Sequence, residues 1–324
     1  MIDGHGRKID YLRISLIDRC NLRCVYCMPE DGVDMVPHTE ILTYEEIIRL
    51  VKVFAKLGFR KIKLTGGEPL VRKEVAKLVR EIKAVEGVEK VTLTTNGTLL
   101  AENMEELAAA GIDGINLSLD TLNSEVYEKI VRRDKFTQAM EGFEAALKHP
   151  EIPLKINCVP MGMEGQNILD MAELAKKHPV HVRFIEMMPI GLGKQFEFCS
   201  EESILQGLKE RYGEYKVYEK KLGNGPGHYY SFEGFQGKIG FISAISHKFC
   251  DSCNRVRLTA QGYLKTCLQY DIGADLKSLL REGAEEETIV EAIEKAVYKK
   301  PVGHQFGNEV KEHAESHMMA QIGG

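Results

Sequence analysis

Six of the chain's eight cysteines fall into two sets of three: Cys20, Cys24 and Cys27, then Cys250, Cys253 and Cys267. Thiolates at such short spacings can wrap one metal centre. Three is an informative number, because structural zinc closes on four ligands and no fourth Cys or His lies within the first loop. A 4Fe–4S cluster held by three cysteines instead leaves one iron open to a further ligand. A zinc loop recruiting the distant His38 is the bland alternative for the first set, and a redox C-x-x-C pair leaves Cys20 unused. For the second set zinc competes on more even terms, since His247 completes an H-x2-C-x2-C-x13-C pattern. The residues between those cysteines shift the reading toward iron–sulfur: Arg255 and Arg257 alternate on a strand and point two cations the same way. Cys158 and Cys199 match no ligand pattern and read as buried structural thiols.

Such cysteines need a scaffold that brings distant segments together. From residue 11 to about 190 the chain repeats a short β-rich run, a turn and a helical stretch. The predicted strands cover 11–17, 61–65, 91–95, 114–119, 154–159 and 180–185. Between the first two, Thr43 and Glu46 form a capping-box pair, apolar residues recur at helical spacing from Ile47 to Leu57, and Gly58 supplies the stop. Alternating strands and helices imply a parallel sheet with right-handed crossovers. The expected fold is α/β: a partial, six-unit βα barrel, three-quarters of a closed TIM-like one. The first cysteine loop follows the first strand, at the edge where such barrels place their sites.

Parallel strands covered on both faces are almost wholly apolar. These are not: Arg13, Lys63, Thr94, Ser118, Lys155 and Arg183 each interrupt one. The polar alternates then line the inside of the barrel. Charges there require an anionic or strongly polar occupant, because burying them unpaired is costly. After about residue 190 the composition changes to one helix, then Gly- and aromatic-rich hairpins carrying the second cysteine set. A charged helical stretch over 275–299 and a tail ending in Gly323-Gly324 follow. The predicted division is a barrel over 1–190 and a β-rich and helical extension over 191–324.

Forty-three Lys and Arg against forty-eight Asp and Glu give a net charge of −5, so the whole molecule is not a basic nucleic-acid binder. No window approaches about 18 uninterrupted apolar residues, which argues against a membrane span. The polar N-terminus lacks an apolar leader. The expectation is a cytoplasmic protein engaging neither nucleic acid nor membrane, with its thiols kept reduced.

The run CNLRCVYCM resembles the C-x3-C-x2-C loop of the radical S-adenosylmethionine (SAM) enzymes, with Tyr26 as the aromatic residue before the last cysteine. Gly66-Gly67-Glu68-Pro69 is similar to that family's GGEP segment, which holds the methionine amino group. YLRIS, TTNG, INLSLDTL, LKINCV, RFIEMM, SCNRVRLTAQGYLKTC and the terminal IGG narrow the resemblance. They point to the branch that cyclises GTP in the first step of molybdenum cofactor biosynthesis, and the likeness runs from about Arg7 to Gly324. Ile17 and Gln261 depart from that pattern at positions that are not ligands.

The resemblance implies the partial barrel and a full set of roles. Cys20, Cys24 and Cys27 would hold the SAM cluster, and Tyr26, Gly67, Ser118 and Met188 would contact SAM. Cys250, Cys253 and Cys267 would hold an auxiliary 4Fe–4S cluster whose open iron meets guanine. Arg13, Lys63, Thr94, Lys155, Arg255, Val256 and Arg257 would contact GTP, with Arg183 a further candidate. Arg255, Arg257, Gly323 and Gly324 would act in catalysis, the glycine pair reaching into the active site. The implied reaction uses a 5′-deoxyadenosyl radical to convert GTP to (8S)-3′,8-cyclo-7,8-dihydroguanosine 5′-triphosphate. Implied partners are an electron donor, a second copy in a homodimer, and cyclic pyranopterin monophosphate synthase as recipient of the product. No phosphate loop of the nucleoside-triphosphatase type is present, so side chains must hold the triphosphate. Two rivals stand beside this reading: a peptide-modifying radical SAM enzyme, and an iron–sulfur or zinc module without catalysis.

Overall fold

Alternate residues of a strand go to opposite faces of its sheet, and here that alternation separates an apolar outside from a polar inside. In the computed structural model, residues 1–34, 36–197, 199–306, 315 and 317–323 are described. Six strands form in the first half: β1 (Tyr11–Ser15), β2 (Lys61–Thr65), β3 (Lys90–Thr95), β4 (Ile115–Ser118), β5 (Leu154–Cys158) and β6 (His181–Ile185). Each pairs in parallel with the next. Their outward residues, among them Leu12, Ile14, Ile62, Leu64, Val91, Leu93, Ile156 and Val182, are wholly buried beneath helices.

Those helices are α1 (Tyr44–Lys56), α2 (Val75–Lys83), α3 (Leu100–Ala109), α4 (Ser124–Val131), α5 (Phe136–Leu147) and α6 (Ala172–Lys177). The capping box opening α1 is present: the Thr43 hydroxyl accepts from the Glu46 amide, and the Glu46 carboxylate accepts from the Thr43 amide at 2.8 Å. Ile47, Leu50, Val51 and Phe54 form its buried stripe, and the chain leaves the helix through Gly58 at φ +89°.

The second half adds α7 (Glu201–Tyr212), β7 (Tyr215–Tyr218), β8 (His228–Phe232), β9 (Ile239–Ile242), β10 (Arg255–Leu258), β11 (Tyr263–Lys265) and β12 (Gly273–Asp275). It ends with α8 (Leu276–Arg281), α9 (Glu286–Tyr298) and α10 (Met319–Ile322). These strands continue the same sheet, in the order β12-β11-β10-β1-β2-β3-β4-β5-β6-β9-β8-β7. β10 runs parallel to β1 and β9 parallel to β6, so the six-unit barrel gains a parallel strand on each side. Antiparallel hairpins then finish both edges.

Candidate active site

Strand direction settles where the cysteines lie. The first set follows β1 and so stands at the C-terminal mouth of the barrel. Cys253 precedes β10, which is parallel to β1, and Cys267 follows β11, which is antiparallel to β10. The second set therefore stands at the opposite mouth. One cavity of about 600 Å³ runs between them, and all six cysteines line it.

At the first mouth, the backbone explains the Gly-Gly turn. The Gly67 amide donates to the Ile17 carbonyl at 2.7 Å and the Glu68 amide to the Arg19 carbonyl at 2.8 Å. A Cβ on Gly67 would stand 2.3 Å from that Arg19 oxygen, so only glycine lets the cysteine loop rest on this turn. Glu68 binds the turn to the TTNG segment, accepting from Leu70 N, Thr95 Oγ1 and Asn96 N at 3.0, 2.8 and 2.7 Å. Burial raises its carboxyl to about 7. The Asn96 amide group lies 3.8 Å from Cys20 Sγ. Tyr26 donates 2.9 Å to Asp120, whose carboxyl burial lifts to about 6. Ser118 and Met188 share this wall.

The three thiols here are pushed up. Burial takes Cys20 to about 11, and burial together with the charge of Cys20 takes Cys27 to about 12. Burial and Cys27 act the same way on Cys24. The Ala320 amide opposes the shift at Cys27. The tail thus reaches the first mouth: α10 lies against Cys27, and Gly323 (φ +71°) packs on Ser15 and Thr65 so closely that a Cβ would meet Ser15 at 3.0 Å. Gly324 lies outside the described residues.

The second mouth has the opposite electrostatics. Burial raises the Cys253 thiol, but the Lys300 ammonium and the Arg255 guanidinium outweigh it and bring it down to about 6. Lys300 is itself buried and donates to the Arg255 carbonyl at 3.0 Å and to the Thr266 carbonyl. Arg7 ties the N-terminus to this loop, donating to the carbonyls of Cys250 and Val302 at 2.9 and 2.7 Å. The His304 amide donates to Cys250 Sγ at 3.5 Å. Sequence reasoning missed Arg7, Lys300, His304, Glu68 and Asp120 as site residues. TTNG and GGEP marked the neighbourhood of Glu68, whereas nothing local marks Arg7 or Lys300.

Between the mouths runs a belt of cations. Arg13, Lys63, Lys155, Arg183, Arg255 and Arg257 all line the cavity, with Thr94 among them. Among the described residues, Lys63, Lys155, Arg183, Arg255 and Arg257 have no carboxylate partner. Arg183 is instead held by the side-chain carbonyls of Asn116 and Asn157 at 2.6 and 2.5 Å. Arg255 lies over the Phe249 ring at 5.0 Å. Burial depresses Lys63, with Arg183 and Arg13 adding to it. Burial brings Arg257 down to about 9, helped by Arg13 and Arg255. Burial, then Arg183 and Lys90, bring Lys155 to about 8.

The expected contacts differ in which part of the residue faces the cavity. Val256 is wholly buried in the apolar core, on the face of β10 opposite Arg255 and Arg257, so its side chain is not offered to a nucleotide. The zinc alternative for the second set also loses its fourth ligand. His247 lies 3.6 Å from Glu201 and 3.8 Å from Glu202, off the cavity wall. His38 pairs with Arg19 at 2.9 Å. Among the described residues no three His, Cys, Asp or Glu side chains close around a single metal ion. The fit to iron–sulfur clusters rests on donor type, three thiols on each wall, with His304 also lining the cavity at Cys250.

Sequence and fold comparisons define the class first. Residues 14–178 match the family described as Radical SAM superfamily, and residues 180–306 that described as Molybdenum Cofactor Synthesis C. The fold resembles Streptococcus suis SuiB solved with its precursor peptide SuiA, at TM-score 0.59 and 14% identity, covering 92% of this chain and 66% of that one. The chain belongs to the radical SAM superfamily, which uses SAM and an iron–sulfur cluster. Within it the chain falls in the GTP 3′,8-cyclase family. It is 44% identical to the GTP 3′,8-cyclase of Desulforamulus reducens and 45% to that of Syntrophomonas wolfei, each over 100% of both chains. Molybdenum cofactor biosynthesis protein 1 of Dictyostelium discoideum is 42% identical over 94% of this chain and 49% of its own length. No helix among the described residues is long and apolar enough to cross a membrane.

Proposed function

We propose that this chain converts GTP to (8S)-3′,8-cyclo-7,8-dihydroguanosine 5′-triphosphate, with SAM and two 4Fe–4S clusters. The observation that carries the reading is the single cavity with three thiols at each end and a belt of cations between them. Cys20, Cys24 and Cys27 would hold a cluster that, with SAM, would supply one-electron chemistry. Everything else is the work of side chains. Tyr26, Gly67, Ser118 and Met188 wall the compartment for SAM. Arg13, Lys63, Lys155, Arg255 and Arg257 neutralise the triphosphate, replacing water around it with fixed cations. Thr94 supplies a neutral hydroxyl beside Lys63, 3.4 Å away. In this reading guanine meets Cys250, Cys253 and Cys267, the ribose faces SAM, and the triphosphate runs along the cation belt. Holding C3′ and C8 near contact is the positional advantage that makes ring closure efficient. Gly323, packed on Ser15 and Thr65, closes the SAM end against water.

This reading calls for an external electron donor and a homodimer in the cytoplasm. Its product passes to the enzyme that forms cyclic pyranopterin monophosphate. A precursor peptide of the kind bound to SuiB is disfavoured by the belt, since Lys63, Lys155, Arg183, Arg255 and Arg257, without a carboxylate partner among the described residues, favour a polyanion. The test is anaerobic incubation of iron-loaded protein with SAM, dithionite and GTP, followed by mass spectrometry. 5′-Deoxyadenosine and an isomer of GTP appear in step, and neither forms with ATP. Deoxyadenosine without a GTP-derived product would overturn the substrate assignment.

A further inference from the structure

The β7–β8 connection carries the glycine-rich run Lys221-Leu-Gly-Asn-Gly-Pro226, for which the reaction so far has no use. It is not a remote hairpin loop. Residues 221–226 line the same cavity as the cysteines, and Gly223 packs against Lys155 of β5. Strand pairing sets both ends of this turn, Tyr218 and His228, at the C-terminal end of β9, and from there Gly223 reaches in to Lys155 of β5.

Three features of this corner suit a phosphate. The backbone amides of Leu222, Gly223, Asn224 and Gly225 have no acceptor among the described residues. Lys155 also lacks a partner, and Gly223 approaches it so closely that a Cβ there would stand 2.7 Å from Nζ, at φ +141°. The surrounding charge is positive: Lys90, Lys155, Arg183 and Lys221 all reach the cavity wall. Asp113, a carboxylate on the same cavity wall, is taken by Lys83 at 2.7 Å. Successive free amides with a lysine at hand form a nest for an anion, the same physics by which glycine-rich loops hold phosphate oxygens.

We propose that Lys221–Gly225 is the cradle for the terminal phosphate of the nucleoside triphosphate, with Lys155 beside Gly223 as its cation. The segment thereby reads the number of phosphates. The inference rests on the cyclase reading and deepens it: the arginine belt holds a nucleotide, and this loop distinguishes the triphosphate from its shorter relatives.

The test is anaerobic calorimetry on iron-loaded holoenzyme with GTP, GDP and GMP, comparing the native chain with Lys221→Ala and Gly223→Ala. Both substitutions weaken GTP by about tenfold and leave GMP within about twofold, the size expected for one charge-assisted phosphate contact. Lys221 is exposed, so its replacement tests the cradle even if Gly223→Ala disturbs the loop's fold. Equal weakening of GTP and GMP, or unchanged GTP binding in Lys221→Ala, overturns the cradle. Native protein that binds GTP no tighter than GMP also overturns it while leaving the cyclase reading intact. Native protein that binds no guanine nucleotide at all overturns the cyclase reading itself.

Discussion

Arg13 of β1 stands directly across from Arg257 of β10, and its register neighbour on the other side is Lys63 of β2. Like charges placed opposite one another on adjacent strands destabilise a sheet. The fold therefore holds three cations in adjacent register positions, an arrangement that a polyanion relieves. Arg257→Met removes one of them with little change of volume. The nucleotide-free, iron-loaded protein should become more stable by about 1 kcal/mol, read as a shift in denaturant midpoint. GTP affinity should fall by about tenfold or more. A variant that is both less stable and unimpaired in GTP binding would contradict the role given to the belt.

Lys155 makes GTP binding depend on pH in a defined direction. Its ammonium is held down to about 8 by burial, Arg183 and Lys90. A bound triphosphate restores the charged form. Near neutral pH the lysine is already protonated and contributes little proton uptake. Above its depressed value it enters binding as the neutral amine and takes up a proton. Calorimetry in buffers of different ionisation enthalpy should show uptake per GTP growing between pH 7 and pH 9, and Lys155→Met should abolish that growth.

Glu68 gives stability the opposite slope. Burial raises its carboxyl from 4.5 to about 7, so the folded state holds the proton more tightly than the unfolded one. Its contribution is full below the unfolded value and is lost as pH rises from 4.5 through about 7. Unfolding free energy measured across that window should fall more steeply with pH in the native chain than in Glu68→Gln. Parallel curves would remove Glu68 as the source.

Gly67 separates the two cysteine sets. A Cβ there meets the Arg19 carbonyl at 2.3 Å, which displaces the loop that leads into Cys20. Gly67→Ala should lose iron at the first mouth and keep it at the second. Iron analysis would fall from about eight to about four per chain, with one four-iron signal surviving in Mössbauer spectra. Loss of both signals would mean that the turn supports the whole fold rather than one loop.

Much of this protein is legible in its sequence because the signals are local. Cysteine spacing, the capping box at Thr43, the βα rhythm and the polar residues interrupting β1 to β6 depend on neighbours within a few positions, where strand and helix periods act. The same period also sets the side chain of Val256. If Arg255 and Arg257 face the lumen, Val256 between them faces the core, and resemblance alone put it with the nucleotide.

By itself, the sequence determined that six cysteines would fall in two sets of three, that a barrel would carry them, and that the barrel's interior would be cationic. Only the tertiary structure decided that the two sets face each other from opposite mouths. That follows from β10 pairing in parallel with β1, a hydrogen-bonded register between Arg257 and Arg13 that no local pattern encodes. The same is true of Arg7 reaching the Cys250 carbonyl, Lys300 lowering Cys253, and residues 221–226 folding back over the lumen. Each is a contact between segments distant in the chain, set by how the sheet twists and closes.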